Sequence, residues 1–192
     1  MSWEVSMRAT EVLKQEHEGI KLMLRILEEM SARLEAGERL DPRHLDGAVE
    51  FIQVFADNCH HAKEEDFLFP AMEKAGIQRD RGPIGVMLYE HGEGRKFVQA
   101  MKAAIEKFNR GDDSAAADIV SSARKYAELL AQHIHKEDNI LYPIADCTLS
   151  AEEGERLAEA FERIELEVIG AGRHEQFHEF LGRMAKEYPG TS

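Results

Sequence analysis

Histidine and glutamate recur in this sequence at a spacing suited to binding a metal ion. The pattern H-x-x-x-E occurs twice, as His60 with Glu64 and as His133 with Glu137. Residues four apart lie on the same face of a helix, about one turn from each other. Each pair therefore places two ligand side chains side by side, and the pattern predicts two metal-binding motifs of two residues each.

The two motifs belong to an internal repeat. Segments 60–70 and 133–143 are identical at five positions and are offset by 73 residues. A Glu-His pair precedes each segment, at 16–17 and at 90–91, with an offset of 74. Each half of the chain is thus a helix with one histidine followed by a helix with H-x-x-x-E, and the sequence predicts a duplicated helical hairpin.

Apolar residues flank each repeated histidine at steps of three, four or seven, so these histidines are predicted to face a core. Burying imidazoles and carboxylates among leucine, isoleucine and phenylalanine is costly unless a bound cation compensates. Four histidines and two carboxylates suit iron and exceed the four ligands of structural zinc, and a glutamate on each of two helices can bridge two ions. The candidate ligands are His17, His60, Glu64, His91, His133 and Glu137.

The helical pattern extends over the whole chain, so the predicted fold class is all-α. The first helix spans about 9–36, and the second begins at Asp41-Pro42 and ends at Pro70. The third ends near Gly111, and the fourth, whose apolar stripe includes Ile140, ends at Pro143 because proline lacks an amide donor. Four long helices with short connections predict an up-down-up-down four-helix bundle over residues 8–146.

Residues 147–192 are predicted to form a helical extension that packs on this bundle. Ser150 and Glu153 match a capping box, in which a serine hydroxyl and a glutamate bond the free amides at the start of a helix. Gly170 and Gly172 are expected to separate that helix from a shorter last one.

Composition excludes several classes of protein. The 192 residues fit one domain, or one domain with an appendage. The 37 acidic against 24 basic residues give a formal charge of −13, which argues against a nucleic-acid partner. No apolar run approaches the ~20 residues needed to span a membrane, and the first residues do not resemble a secretion signal. We therefore expect a cytoplasmic protein with no membrane partner and two free cysteines, whose oligomeric state the sequence does not indicate.

The order H, H-x-x-x-E, H, H-x-x-x-E on four successive helices resembles the hemerythrin-like HHE cation-binding family. The resemblance covers residues 10–143 and includes the paired L-[FY]-P endings. It implies a non-haem centre of two iron ions inside the bundle, with Glu64 and Glu137 as bridging carboxylates and the four histidines as terminal ligands. Ferritin-like bundles instead use Glu-x-x-His motifs, which these helices lack.

One position departs from the oxygen-carrying hemerythrins, which have H-x-x-x-H on the third helix. Here the second position is Arg95, which is always protonated and cannot ligate. One iron is then short of a protein ligand, so water, an exogenous ligand or another residue must fill the gap. An unfilled gap places reversible oxygen carriage in doubt.

Several other side chains are candidates for this gap or for roles near it. His61 lies about 100° around the helix from His60, toward Asp57 and Glu65, and is predicted behind the ligands or on the surface, with ligation as the alternative. His174 and His178 form H-x-x-x-H on the last helix and are predicted to pack or lie on the surface. Asp138 competes with Glu137 for the fourth-helix carboxylate, and the repeat favours Glu137. Cys59 is predicted to be a small buried residue rather than a redox-responsive thiol.

The expected function is the binding, sensing or redox handling of oxygen, nitric oxide or peroxide at a di-iron centre. The open position beside Arg95 favours one alternative, a di-iron enzyme of peroxidase or oxidase type, because a cation near an open iron stabilises developing negative charge. Storage or delivery of iron is the other alternative. Binding is ranked ahead of catalysis, and the expected partner is a small diatomic molecule or peroxide.

Overall fold

The computed structural model describes residues 8–170 and 172–190, so residues 171, 191 and 192 of the predicted extension lie outside it. Every regular element in the described residues is helical, which confirms the all-α prediction. These elements join into six continuous helices, which we number in chain order. They are α1 (Ala9–Glu35), α2 (42–74), α3 (Pro83–Asn109), α4 (113–148), α5 (151–169) and α6 (Arg173–Glu187).

The starts of α2 and α5 and the break between α5 and α6 follow the predicted signals. The Asp41 side chain accepts the amide of Arg43 at 2.9 Å at the start of α2. The Ser150 hydroxyl likewise accepts the amide of Glu153 at 3.2 Å at the start of α5. Gly170 and Gly172 have φ angles of 85° and 81°, which glycine adopts without the strain of a Cβ, and they separate α5 from α6 as predicted.

The predicted ends of α2 at Pro70 and of α4 at Pro143 are wrong, because both helices run through their prolines. The helix continues as Phe69–Lys74 in α2 and as Tyr142–Thr148 in α4. A π-helical turn precedes each proline, Glu64–Leu68 in α2 and Glu137–Leu141 in α4. The last amide before each proline bonds five residues back, and this wider turn makes room for a ring that would clash in a regular helix.

The π-helical turn also corrects the predicted apolar stripe of α4. Ile140 was expected in that stripe, but its residue surface is 51% exposed, whereas Leu141 is fully buried. A turn with i to i+5 bonding holds more residues than an α-helical one, so the inward face moves one residue along the chain. The π-helical turns before the two prolines thus change which residues face inward directly after Glu64 and Glu137.

The first four helices contact one another around a common core. Each of α1 and α3 contacts both α2 and α4. The buried apolar residues form two clusters, one including Met30, Phe51 and Met101, the other including Leu13 and Leu141. On each of these four helices, residues of one cluster lie before the repeated histidine and residues of the other lie after it. The histidines therefore form a polar layer between two apolar layers.

The last two helices pack against α1 and α2. Phe177 and Leu181 of α6 join the first apolar cluster, and Leu157 and Phe161 of α5 join the second. None of the helices in the described residues has the length and apolar character that crossing a membrane requires.

Candidate metal centre

The six predicted ligands come together in the polar layer. Their exposed fractions do not exceed 1%. The Nε2 atoms of His17 and His60 lie 3.1 Å apart, and those of His91 and His133 lie 3.0 Å apart. Two nitrogen ligands about 2.1 Å from one ion, at a right angle, are separated by about 3.0 Å. Each histidine pair therefore has the separation that one shared cation requires.

Both carboxylates lie between the two histidine pairs. The Oε2 of Glu137 is 3.2 Å from the Nε2 of His17, and its Oε1 is 2.9 Å from the Nε2 of His133. The Oε2 of Glu64 is 3.4 Å from the Nε2 of His91 and 3.9 Å from that of His60. Each glutamate is thus within reach of an ion at either pair.

The residues present fit a bound cation. The Oε2 of Glu64 and both side-chain oxygens of Glu137 are buried and, despite the nearby histidines, make no hydrogen bond in the described structure. A buried polar group without a partner costs about 1 to 3 kcal/mol, and a charged one costs more. Metal ions bound by the four Nε2 atoms would satisfy all three oxygens at once.

A carboxylate holds the outer nitrogen of each histidine. Donation of the Nδ1 hydrogen to such a group fixes the ring and leaves the Nε2 lone pair free for an ion. Because Asp138 contacts Nδ1 of His17, it holds that ligand from outside the centre. The Nδ1 to oxygen distances are 2.8 Å for His17 with Asp138, 2.8 Å for His60 with Glu16, 2.7 Å for His91 with Glu65 and 2.9 Å for His133 with Glu90.

The four outer carboxylates occupy matching positions in the two halves of the internal repeat. The sequence analysis did not predict that they hold the histidine rings. The second oxygen of Glu16 accepts a short hydrogen bond from Lys63, and that of Glu90 accepts one from Lys136. The two lysines are offset by 73 residues, as are His60 and His133, and the two glutamates are offset by 74. The recurrence of Glu-His and of lysine within the repeat was the signal that could have identified them.

Nearby carboxylates raise the pKa values of two histidines in the centre. Burial lowers the pKa of His17, but its hydrogen bond to Asp138 and the nearby Glu137 outweigh burial and raise the pKa to about 9. Burial also lowers the pKa of His133, while the adjacent Glu137 carboxylate raises it to about 10. Burial raises the pKa of Glu137, but the neighbouring imidazolium of His133 holds it well below its usual range.

We expect metal loading to release protons at pH 7. An imidazole nitrogen must lose its proton to bind an ion, and His17 and His133 carry protons up to about pH 9 and 10. Loading should release at least two protons per chain at pH 7, and metal affinity should rise with pH up to that range. Calorimetry in buffers with different ionisation enthalpies measures the release. Equal release at pH 7 and above pH 10 would contradict this assignment.

His61 is buried beside the second histidine pair. Its exposed fraction is 4%, and its ring stacks on His91 with a centroid distance of 3.9 Å. Its Nδ1 lies 3.3 Å from Asp57, on the predicted side, while its Nε2 has no hydrogen-bond partner. Of the predicted positions, the one on the surface is wrong, while the one behind the ligands and ligation itself both agree with this burial. His61 ends a π-helical segment, in which neighbouring residues are separated by a smaller angle than in an α-helix.

Arg95 donates hydrogen bonds to two carboxylates that hold histidine rings. Its Nε donates to Asp57 and its Nη2 donates to Glu65, both at 2.8 Å. Asp57 holds Nδ1 of His61, and Glu65 holds Nδ1 of His91. The arginine on α3 therefore fixes the histidine rings nearest to it.

The other candidates lie outside the centre. His174 contacts Glu165 and His178 rather than the buried histidines. Among the described residues, the groups of three or more side chains that could share an ion contain neither His174 nor His178. Cys59 is buried, as predicted, and its burial raises the pKa of the thiol to about 12, so it is not a reactive thiolate at neutral pH.

Two further features distinguish the ends of the centre. The Tyr142 hydroxyl donates to Oε1 of Glu64 at 2.9 Å and lies 3.3 Å from Nε2 of His17. The repeat places Phe69, which has no hydroxyl, at the matching position of the other half. At the other end, a cavity of about 540 Å³ is lined by His61, Arg95 and Tyr126 among others. A small molecule thus has space beside His61, whose ring stacks on His91 of the second histidine pair.

Comparison with known families confirms the resemblance. The family model described as hemerythrin HHE cation binding domain matches residues 8–145. No solved structure matches the chain.

Curated relatives are similar to this chain at low identity. An uncharacterized protein of Mycobacterium tuberculosis is 29% identical over 159 residues, which cover 83% of this chain and 62% of that protein. A probable iron-sulfur cluster repair protein of Haemophilus influenzae is 30% identical over 94 residues, 47% of this chain and 42% of its own length. The iron-sulfur cluster repair protein YtfE of Dickeya chrysanthemi is 24% identical over 138 residues, 70% of this chain and 62% of its length. The chain thus spans less than two thirds of these relatives.

Proposed function

The chain belongs to the hemerythrin HHE cation-binding domain family, and we propose that its centre holds two iron ions. His17 and His60 bind one ion, and His91 and His133 bind the other. Glu64 and Glu137 bridge the two ions, inside an up-down-up-down four-helix bundle over residues 8–146. The observation that carries this proposal is the pair of 3.1 and 3.0 Å Nε2 separations, with unpartnered carboxylate oxygens between them.

We further propose that the centre binds a small ligand such as oxygen, nitric oxide or peroxide. A bound pair of iron ions supplies Lewis acidity and exchange of electrons with such molecules. The cavity beside His61 and Arg95 admits the ligand, and the apolar clusters on both sides keep bulk water away from the rest of the centre. The Tyr142 hydroxyl holds a glutamate oxygen at the opposite end.

Optical titration of the reduced, iron-loaded protein tests this function. We expect saturable changes in the absorption spectrum with nitric oxide and with oxygen or peroxide. Continuous consumption of peroxide would favour the enzymatic alternative. An unchanged spectrum with all three molecules would contradict ligand binding while leaving the metal assignment to be judged by its iron content.

Iron delivery is the second candidate function, because relatives named as iron-sulfur cluster repair proteins favour it. Incubation of the iron-loaded chain with a cluster-free ferredoxin, sulfide and a reductant tests it. Delivery predicts loss of iron from this chain and growth of cluster absorption on the ferredoxin. Retention of iron on this chain would contradict delivery.

We propose His61 as a fifth histidine ligand, at the pair formed by His91 and His133. One ring nitrogen of each of these three histidines lies within 4.8 Å of the other two. Burial together with the nearby His91 lowers the pKa of His61 well below the usual value, so the ring is neutral. We expect His61→Ala to change the iron absorption spectrum and to lower iron content by up to one ion per chain. Arg95→His should supply no additional ligand, because the position is already filled, although it removes the hydrogen bonds that Arg95 donates to Asp57 and Glu65.

The matched control is His135→Ala, which removes an exposed histidine of α4. Its spectrum and iron content should equal those of the unmodified protein. If His61→Ala also matches the unmodified protein, His61 is not a ligand.

A further inference from the structure

A second pair of imidazoles lies on α6, outside the buried centre. His174 and His178 are four residues apart on one face of the helix, and their Nε2 atoms are 2.7 Å apart. Their rings stack at a centroid distance of 4.6 Å. This approach of two Nε2 atoms resembles the 3.1 and 3.0 Å separations of the pairs in the centre.

A carboxylate fixes the first of these rings. Nδ1 of His174 makes a short hydrogen bond to Oε1 of Glu165, the first residue of the π-helical end of α5. The Oε2 of Glu165 lies 3.5 Å from Nζ of Lys63, a lysine with no exposed surface. The ring of Phe55 meets the His174 ring edge to face at 5.6 Å. His174 is therefore held on two sides, with its Nε2 directed at His178.

His174 is held in the same way as the histidines of the centre, where a carboxylate bonds Nδ1 and leaves Nε2 free for an ion. Two facing Nε2 atoms either share one proton or share one cation. Imidazole nitrogens suit divalent first-row transition metals such as cobalt, nickel, copper and zinc. A third of the His174 side chain is exposed, so water has access to the remaining coordination positions.

We propose that His174 and His178 form a second cation site, separate from the buried centre, for one divalent first-row transition metal ion. Water completes its coordination, and Glu165 is a positioning residue that acts through His174. The proposal does not rest on the di-iron function, because His174 and His178 bond to Glu165 and to each other rather than to the proposed iron ligands. Glu165 is linked to His60 through Lys63 and Glu16.

Equilibrium dialysis of the full chain against Co²⁺, after iron loading, tests this site. We expect His174→Ala and His178→Ala each to bind one Co²⁺ per chain fewer than the unmodified protein. Glu165→Gln should weaken that binding about 10- to 100-fold, the usual effect of removing a partner of a ligating histidine. His135→Ala, which removes an exposed histidine elsewhere, should bind Co²⁺ as the unmodified protein does.

Iron content measured on the same samples separates this proposal from the di-iron one. The α6 variants should keep the iron content of the unmodified protein, whatever that content is. Equal Co²⁺ binding by the unmodified protein and His178→Ala would overturn the second site. The same loss in His135→Ala would overturn it too, because the bound Co²⁺ would then be non-specific.

Discussion

Replacing Glu137 with alanine is expected to reduce the iron content from two ions per chain to less than one. Its two oxygens lie 3.2 Å from Nε2 of His17 and 2.9 Å from Nε2 of His133, so one substitution removes a ligand from both ions. It also removes the carboxylate that balances two protonated imidazoles in the metal-free centre. Metal analysis of the purified variant after iron-replete expression measures the loss.

Two further variants keep this result interpretable. Glu137→Gln preserves the side-chain volume but removes the charge, and we expect it to lose iron as well. Glu128→Ala removes an exposed carboxylate of the same helix and should keep both ions. Circular dichroism should show a helical fold in all three proteins. A folded Glu137→Ala variant with two ions per chain would show that Glu137 is not a shared ligand.

Removal of iron by a chelator is expected to lower the melting temperature by about 8 to 16 °C at pH 7. Ligand present at a thousandfold above its Kd stabilises a fold by about 4 kcal/mol. For a chain of this size each kcal/mol corresponds to about 2 to 4 °C. Chelation also leaves the oxygens of Glu64 and Glu137 buried and unpartnered, which favours unfolding further.

Differential scanning calorimetry with and without the chelator measures this shift. The Glu137→Ala variant is the matched control, because a chain that holds little iron has little to lose and should melt at the same temperature in both samples. A melting temperature of the unmodified protein that does not change on complete removal of iron would contradict coupling between the metal and the fold.

The ligand cluster was predictable because it depends on features that the sequence shows directly. The 73-residue repeat and the H-x-x-x-E spacing identify His60, Glu64, His133 and Glu137. Apolar periodicity places the repeated histidines on inward faces, and the structure brings all four together. Their role as metal ligands is still a prediction.

Other parts of the site were not predictable, because they depend on departures from regular α-helix. An α-helical period places His61 away from His60 and places Ile140 in the core, but π-helical turns bury His61 and expose Ile140. Nothing in a propensity scale indicates that a helix will continue through Pro70 and Pro143 by widening the preceding turn. Contacts between helices, such as Tyr142 with Glu64, depend on how the helices are packed.

The number of iron ions per folded chain tests the central claim most directly. Protein purified after iron-replete expression should contain two iron ions per chain, measured by elemental analysis against a chain concentration from amino-acid analysis. Mössbauer spectra of the same protein grown on ⁵⁷Fe should assign this iron to a coupled pair. A fully folded chain that holds no iron, or a single uncoupled ion, would contradict the proposed di-iron centre.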